Sequence, residues 1–195
     1  MENTPEIRTD RLILRRFKPD DAAALLRLLS DEEVNRFLPM YPLKTLREAE
    51  EYLEKNFLSG YDRPVGFRYA VALGSDDVPI GYVTMGDGES HDFGYGLLKE
   101  HWHKGIITEA AGVVIEAIQK ASIPFITATH DVKNPRSGGV MQNIGMTYRY
   151  TYLEQWQPKN IPVHFRMYQL NLDGDCKRVY QGYWEKYPVH FVEEL

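Results

Sequence analysis

At 195 residues the chain is sized for one domain, and that length can bury a full hydrophobic core without disulfides or a structural metal. Hydrophobic residues make up 43% and charged residues 26%, proportions that argue against disordered, collagen-like and membrane-embedded classes. The 23 basic and 28 acidic side chains leave a net charge of −5, which offers no footprint for nucleic acid or an anionic membrane and slightly favours amine partners.

Leu12 to Phe17 reads as a first strand, broken by Lys18 and Pro19, with Asp20 or Asp21 capping a helix over Ala22–Leu29. The acidic run Asp31, Glu32 and Glu33 leads to a short helix near Val34–Leu38, and Pro39 and Pro42 then bend the chain. Thr45 and Glu48 form a T-x-x-E capping box ahead of Leu46, Ala49, Leu53 and Phe57 at helical spacing, with Gly60 expected at the C-cap. The period then changes to two. Phe67–Leu73, Ile80–Met85 and His91–Leu98 read as successive strands joined by Gly-Asp turns. A helix over Thr108–Ala121, a strand over Phe125–His130 and a short helix over Arg136–Asn143 follow, the last stopped by Gly145. Two β-rich runs, Tyr148–Trp156 and His164–Leu172, close the domain. The order implies a mixed α/β domain over residues 1–172, in which an antiparallel meander feeds a parallel crossover. Residues 173–195 form an extension carrying Tyr180, Tyr183, Trp184, Tyr187 and Phe191, expected to pack on the domain's own sheet or across a dimer interface.

One cysteine, Cys176, excludes an internal disulfide framework and a cysteine-rich zinc site. The first residues lack the basic and apolar regions of a signal peptide, and no apolar run approaches the ~20 residues that span a bilayer. A cytoplasmic protein is the expectation. His101 and His103 stand two apart without a further ligand at metal spacing, so no metal is expected.

The informative stretch is a strand ending near Leu98, a loop turning over Gly105 and a helix that follows at once. A helix N-terminus presents unpaired N–H groups and a positive dipole end, and Gly105 removes the side chain where a phosphate would approach. A second stretch places the strand Phe125–His130 before Asn134 and Ser137 in an N-x-x-S pattern at a helix start, with Gly145 and Met146 beyond.

Together the pattern W-x-K-G-x-x-T-E-A, from Trp102 to Ala110, and the N-x-x-S pattern resemble the GNAT superfamily of acetyl-CoA-dependent N-acetyltransferases. Thr9, Asp10, Arg11 and Leu12, with Ile80, Gly81 and Tyr82, are most similar to the RimJ/RimL branch, and the likeness spans about residues 8–172. It implies a GNAT-like fold in which two central parallel strands, here Phe93–Leu98 and Phe125–His130, splay apart around acetyl-CoA. It also implies that Leu97 and Leu98 pair with the pantetheine arm, and that His103, Lys104, Gly105, Ile106, Ile107 and Thr108 hold the pyrophosphate. Asn134 would bond the pantetheine or the helix turn, and Ser137 would lie near the thioester sulfur. The chain departs from the superfamily pattern at Trp102 and Ile107 in the loop. It departs again at Met141, where many members carry a tyrosine acid; Ser137 is then the candidate proton donor.

The acceptor is expected to be a primary amine, on a protein N-terminus or a small molecule, which must lose a proton to attack. Glu89, His91, Asp87 and His130 are the candidate bases, and the residues do not choose among them; His130 equally suits a turn cap. Glu32 and Glu33 either wall the amine entrance or form a solvated helix start. Glu109 reads as a first-turn residue answering the helix dipole. The alternative function is a catalytically weak acetyl-CoA-binding regulatory or protein-interaction module.

Overall fold

A computed structural model describes residues 3–195. Two antiparallel sheets stand side by side. The first runs β1 (Ile7–Arg8), β2 (Leu12–Arg16), β3 (Phe67–Leu73), β4 (Pro79–Met85) and β5 (Phe93–Leu97) in spatial order. The second orders β6 (Phe125–Asp131), β8 (Ile161–Asn171), β7 (Thr147–Trp156) and β9 (His190–Phe191). The sheets meet where β5 and β6 lie side by side, joined by a single parallel bridge between Asp92 and Thr127. Thr127 Oγ1 reinforces that point by donating to the Ser90 carbonyl at 2.8 Å. Beyond it the two strands separate, as the family resemblance implies.

Helices α1 (Ala22–Ser30), α2 (Glu32–Asn35) and α3 (Leu46–Asn56) lie before the meander, and α4 (Ile106–Lys120) and α5 (Pro135–Asn143) flank β6 in sequence. The main core joins Leu25 and Leu29 of α1, Tyr69 and Val71 of β3, Val83 and Met85 of β4 and Val114 and Ile118 of α4, all buried. Such packing fixes where the loop before α4 and the start of α5 sit relative to the splay.

Several local expectations shift for physical reasons. Asp21 does not cap α1 with its side chain; it accepts from Arg15 Nη1 at 2.7 Å and Nη2 at 3.0 Å, a buried pair extended by Asp77. Gly60 lies in a short 3-10 turn after α3 rather than at its C-cap, and its missing Cβ makes room for the Arg68 guanidinium, which would stand 2.5 Å away. Strand β5 starts at Phe93 because His91 has a left-handed φ of 45°. Helix α4 starts two residues before the expected Thr108, at Ile106, because Gly105 serves as its N-cap.

The extension packs on its own chain. Tyr183, Trp184 and Tyr187, in and after the short α6 (Gly182–Lys186), join Tyr150, Tyr152, Trp156, Val163, Phe165 and Met167 in a second core cluster, and β9 pairs with β7. The tail aromatics therefore give no separate reason to expect a dimer.

Candidate active site

The splay opens into a cleft of about 1280 Å³. At one end it meets the loop before α4. His103 and Gly105 both have left-handed φ, 60° and 71°, a curl of the kind that gathers successive amides around an anion. No side chain caps the helix, so its first N–H groups are left for a ligand. A Cβ on Gly105 would meet only Arg11 Nη2, at 3.6 Å, so glycine is required there by its φ rather than by crowding.

Glu109 does more than answer the helix dipole. It accepts from Thr9 Oγ1 at 2.6 Å and from Arg11 Nε at 2.5 Å, tying the turn before β2 to the first turn of α4. These bonds hold its carboxyl below the usual carboxylate range against the opposing effect of burial. Trp102, the first loop departure, also has a defined task. Its indole Nε1 donates to the Leu97 carbonyl at 2.9 Å, and the Arg136 guanidinium lies over its ring at 5.1 Å.

In β5, alternate residues point their backbone groups toward β4. Leu98 N donates to the Ile80 carbonyl at 2.8 Å, and Leu97 is paired with Gly81, so the Leu97 N–H and the N–H and C=O of Tyr95 turn toward the gap, the Leu97 carbonyl being taken by Trp102. Leu98 is a correction: its amide is spent on Ile80, its carbonyl accepts from His101 N at 3.0 Å and its side chain is buried. Tyr95 takes its place as the strand's second residue facing the gap. Leu97, His103, Gly105, Ile106, Ile107, Thr108, Asn134 and Ser137 all line the cleft, whereas Lys104 is exposed outside it.

At the start of α5 the Asn134 side chain accepts from Ser137 N at 3.4 Å, capping the helix. Ser137 Oγ stands 3.0 Å from the Tyr95 hydroxyl, which also lies 2.8 Å from the Ser137 carbonyl and donates there or to Oγ. Two hydroxyls thus stand together at the cleft wall. Burial pushes the Tyr95 hydroxyl well above its ordinary pKa, so it stays protonated. The buried Met141 lines the same wall.

The candidate bases do not gather. Glu89 is exposed on a turn outside the cleft, and Asp87 is held by Arg63 at 2.5 Å. His91 also lies outside the lining. His130 lines it, but Nδ1 donates to the Asp131 carbonyl at 2.8 Å, which fixes the neutral tautomer with Nε2 unprotonated. Nε2 is buried without a hydrogen bond, against Gly138, where a Cβ would stand 2.7 Å away. His130 thus holds the turn at Asp131 through Nδ1, and its Nε2 faces Gly138. Glu33 lines the cleft with its carboxylate taken by Lys99 and, at 3.8 Å, by Arg136.

Asp92 is a further carboxylate on the cleft. It precedes β5 at the point where the sheets meet, its side chain exposed in the cleft, and desolvation by the surrounding protein pushes its carboxyl up to about 6. Among the described residues no cation pairs with it. The signal in the sequence was an acid immediately before the splayed strand.

A family model described as an acetyltransferase (GNAT) domain matches residues 11–147. The chain belongs to this family. It is 28% identical over 144 residues to the uncharacterised N-acetyltransferase YnaD of Bacillus subtilis, covering 72% of this chain and 81% of that protein. It is 27% identical over 115 residues to YoaA of the same organism, covering 57% of this chain; the match spans 64% of YoaA's own length, just under two thirds. Among solved structures, a GNAT-family acetyltransferase from Bacillus anthracis superposes with a TM-score of 0.75 at 21% identity, covering 87% of this chain and 99% of that one. RimL, a ribosomal L7/L12 α-N-protein acetyltransferase solved with coenzyme A, gives 0.77 at 16% identity, covering 88% of this chain and all of that one. These likenesses establish the GNAT fold.

Proposed function

We propose that the chain transfers an acetyl group from acetyl-CoA to a primary amine. The observation that carries this reading is the splay of β5 and β6 running onto an uncapped helix N-terminus, a strand edge and an anion site in one continuous cleft. The amides of His103 to Thr108 would take the pyrophosphate, with Lys133 and Arg136 lining the same cleft as further positive charge. The Leu97 N–H and the Tyr95 backbone would take the pantetheine amides. Acetyl-CoA supplies an acyl carbon already activated by a thiol leaving group.

The amine nitrogen forms its bond to the acyl carbon as the carbon–sulfur bond breaks. One N–H proton must leave the nitrogen, and one proton must reach the sulfur. Asp92 is the residue suited to the first task, because a carboxyl near neutrality is ionised enough to accept a proton and basic enough to hold it. The Tyr95–Ser137 pair suits the second. When Tyr95 donates to Ser137 Oγ, the serine proton is free to move toward sulfur, and the missing tyrosine acid at Met141 is replaced. An acetyl-CoA-dependent reaction and an unpaired Cys176 both suit the cytoplasm.

Calorimetric titration with acetyl-CoA, followed by a free-thiol assay over a panel of amines, tests the reading. Binding followed by amine-dependent thiol release is the expected result. Binding without release from any amine would favour the regulatory module, and no binding would exclude both.

A further inference from the structure

The half of the cleft facing away from the phosphate loop has its own chemistry. Tyr152 and Trp156 of β7, Phe165 of β8, and Tyr183 and Tyr187 of the extension line one side. They form a continuous aromatic wall: Tyr152 stacks between Tyr183 and Tyr187 with centroids 5.2 and 4.7 Å away, and Phe165 lies 5.7 Å from Tyr152 and 5.4 Å from Trp156. Phe37, Leu38 and Pro39 line the opposite side. Every ring of the aromatic wall lies beyond residues 11–147, so it belongs to the part of the chain that the family match does not reach.

Four carboxylates line the cleft, and three are occupied. Glu33 is paired with Lys99 and Arg136, Asp131 accepts from Lys133 N at 2.8 Å, and Glu154 lies in the field of Lys186 beside Tyr187. Asp92 is left to face the cleft without a counter-ion among the described residues. A carboxylate without a partner beside a lining of aromatic rings suits an ammonium group on an apolar body.

Access is restricted. Lys159 Nζ donates to the Asn35 and Arg36 carbonyls at 2.7 and 3.1 Å, and the Tyr41 hydroxyl donates to the Pro158 carbonyl at 3.2 Å. These bonds tie residues 35, 36 and 41, which flank the Phe37, Leu38 and Pro39 lining, to the hairpin of β7 and β8. We infer that the acceptor is a small amine carried on an aromatic body, its ammonium read by Asp92 and its ring by Tyr183 and Tyr187, the half-buried rings of the wall, with Lys159 and Tyr41 excluding polypeptide acceptors. This inference rests on the acetyl-transfer reading.

The test compares 2-phenylethylamine, spermidine and a hexapeptide with a free N-terminus, by thiol release from acetyl-CoA and by calorimetric binding of each amine. The expected kcat/KM for 2-phenylethylamine is at least tenfold above the other two, with the same order in binding. Equal or better use of the peptide or spermidine overturns the inference while leaving acetyl transfer intact. If no amine releases thiol, the transfer reading fails, and the binding order alone decides the ligand class: no preference for the arylalkylamine overturns it. Lys159→Ala, a change at a hairpin tip, is expected to raise kcat/KM for the peptide at least threefold relative to 2-phenylethylamine. An unchanged ratio removes the bridge from the account.

Discussion

Replacing Gly105 by valine separates backbone conformation from steric contact. The open space around its Cβ position, with Arg11 Nη2 at 3.6 Å, means that a side chain there collides with little. The cost comes from φ 71°, where a β-branched residue pays roughly 1–2 kcal/mol. That energy must appear somewhere. If the loop keeps its curl, stability falls by about that amount; if it relaxes, the amides turn from the cleft and acetyl-CoA affinity falls, by about 5- to 30-fold for the same energy. Asparagine tolerates left-handed φ, so Gly105→Asn is the matched control and should keep most of the affinity. Calorimetric titration with acetyl-CoA beside thermal unfolding of both variants measures the two shares. The expected outcome is a valine variant that still unfolds cooperatively and binds at least tenfold more weakly. Unchanged affinity and unchanged stability in Gly105→Val would refute the reasoning, because the left-handed turn would then carry no cost and the diphosphate would bind elsewhere.

The kcat/KM of the wild type should rise with pH through an apparent pKa near 6, as Asp92 loses its proton and becomes a base, and Asp92→Asn should abolish that limb along with most of the activity. A second limb at higher pH, from the amine itself, should survive. Ser137→Ala should lower kcat at least tenfold with little change in acetyl-CoA affinity, and Tyr95→Phe should do the same less severely. The double variant should cost less than the product of the two, since the hydroxyls act as a pair; additive effects would separate them. Gly138→Ala should destabilise the fold by about 1–3 kcal/mol in thermal or denaturant unfolding, because its Cβ would stand 2.7 Å from His130 Nε2.

The elements with strong local signals were legible in the sequence. The T-x-x-E box does cap α3, with Thr45 Oγ1 accepting from Glu48 N at 3.2 Å and Glu48 reaching back to Lys44 N. The period-two runs became β3 and β4 within a residue, and Gly105 marked the start of α4. What failed was decided by distant partners. Asp21 resembles a helix cap until Arg15 is folded against it, and Gly60 resembles a C-cap until the Arg68 guanidinium is seen beneath it. The site shows the same division. The motif residues Gly105, Asn134 and Ser137 fall on the cleft because short-range turn chemistry puts them there. The proposed base does not, because a carboxylate's place on the cleft is set by how the two sheets meet. Glu89 and Asp92 are three residues apart and both are exposed, and the meeting of the sheets at Asp92 and Thr127 puts only the second on the cleft. Tyr95 was similarly hidden, since its hydroxyl finds Ser137 across 42 residues of chain.

The central claim is that one cleft brings an acetyl donor and an amine together so that the acyl group changes partners. A single-turnover mixing of the protein with acetyl-CoA and 2-phenylethylamine, following free thiol and N-acetylated amine in the same samples, tests it most directly. The account predicts equal amounts of both products at every time point, with the rate strongly reduced in Asp92→Asn. Thiol released without matching acetylated amine, or at the same rate when the amine is omitted, would contradict it.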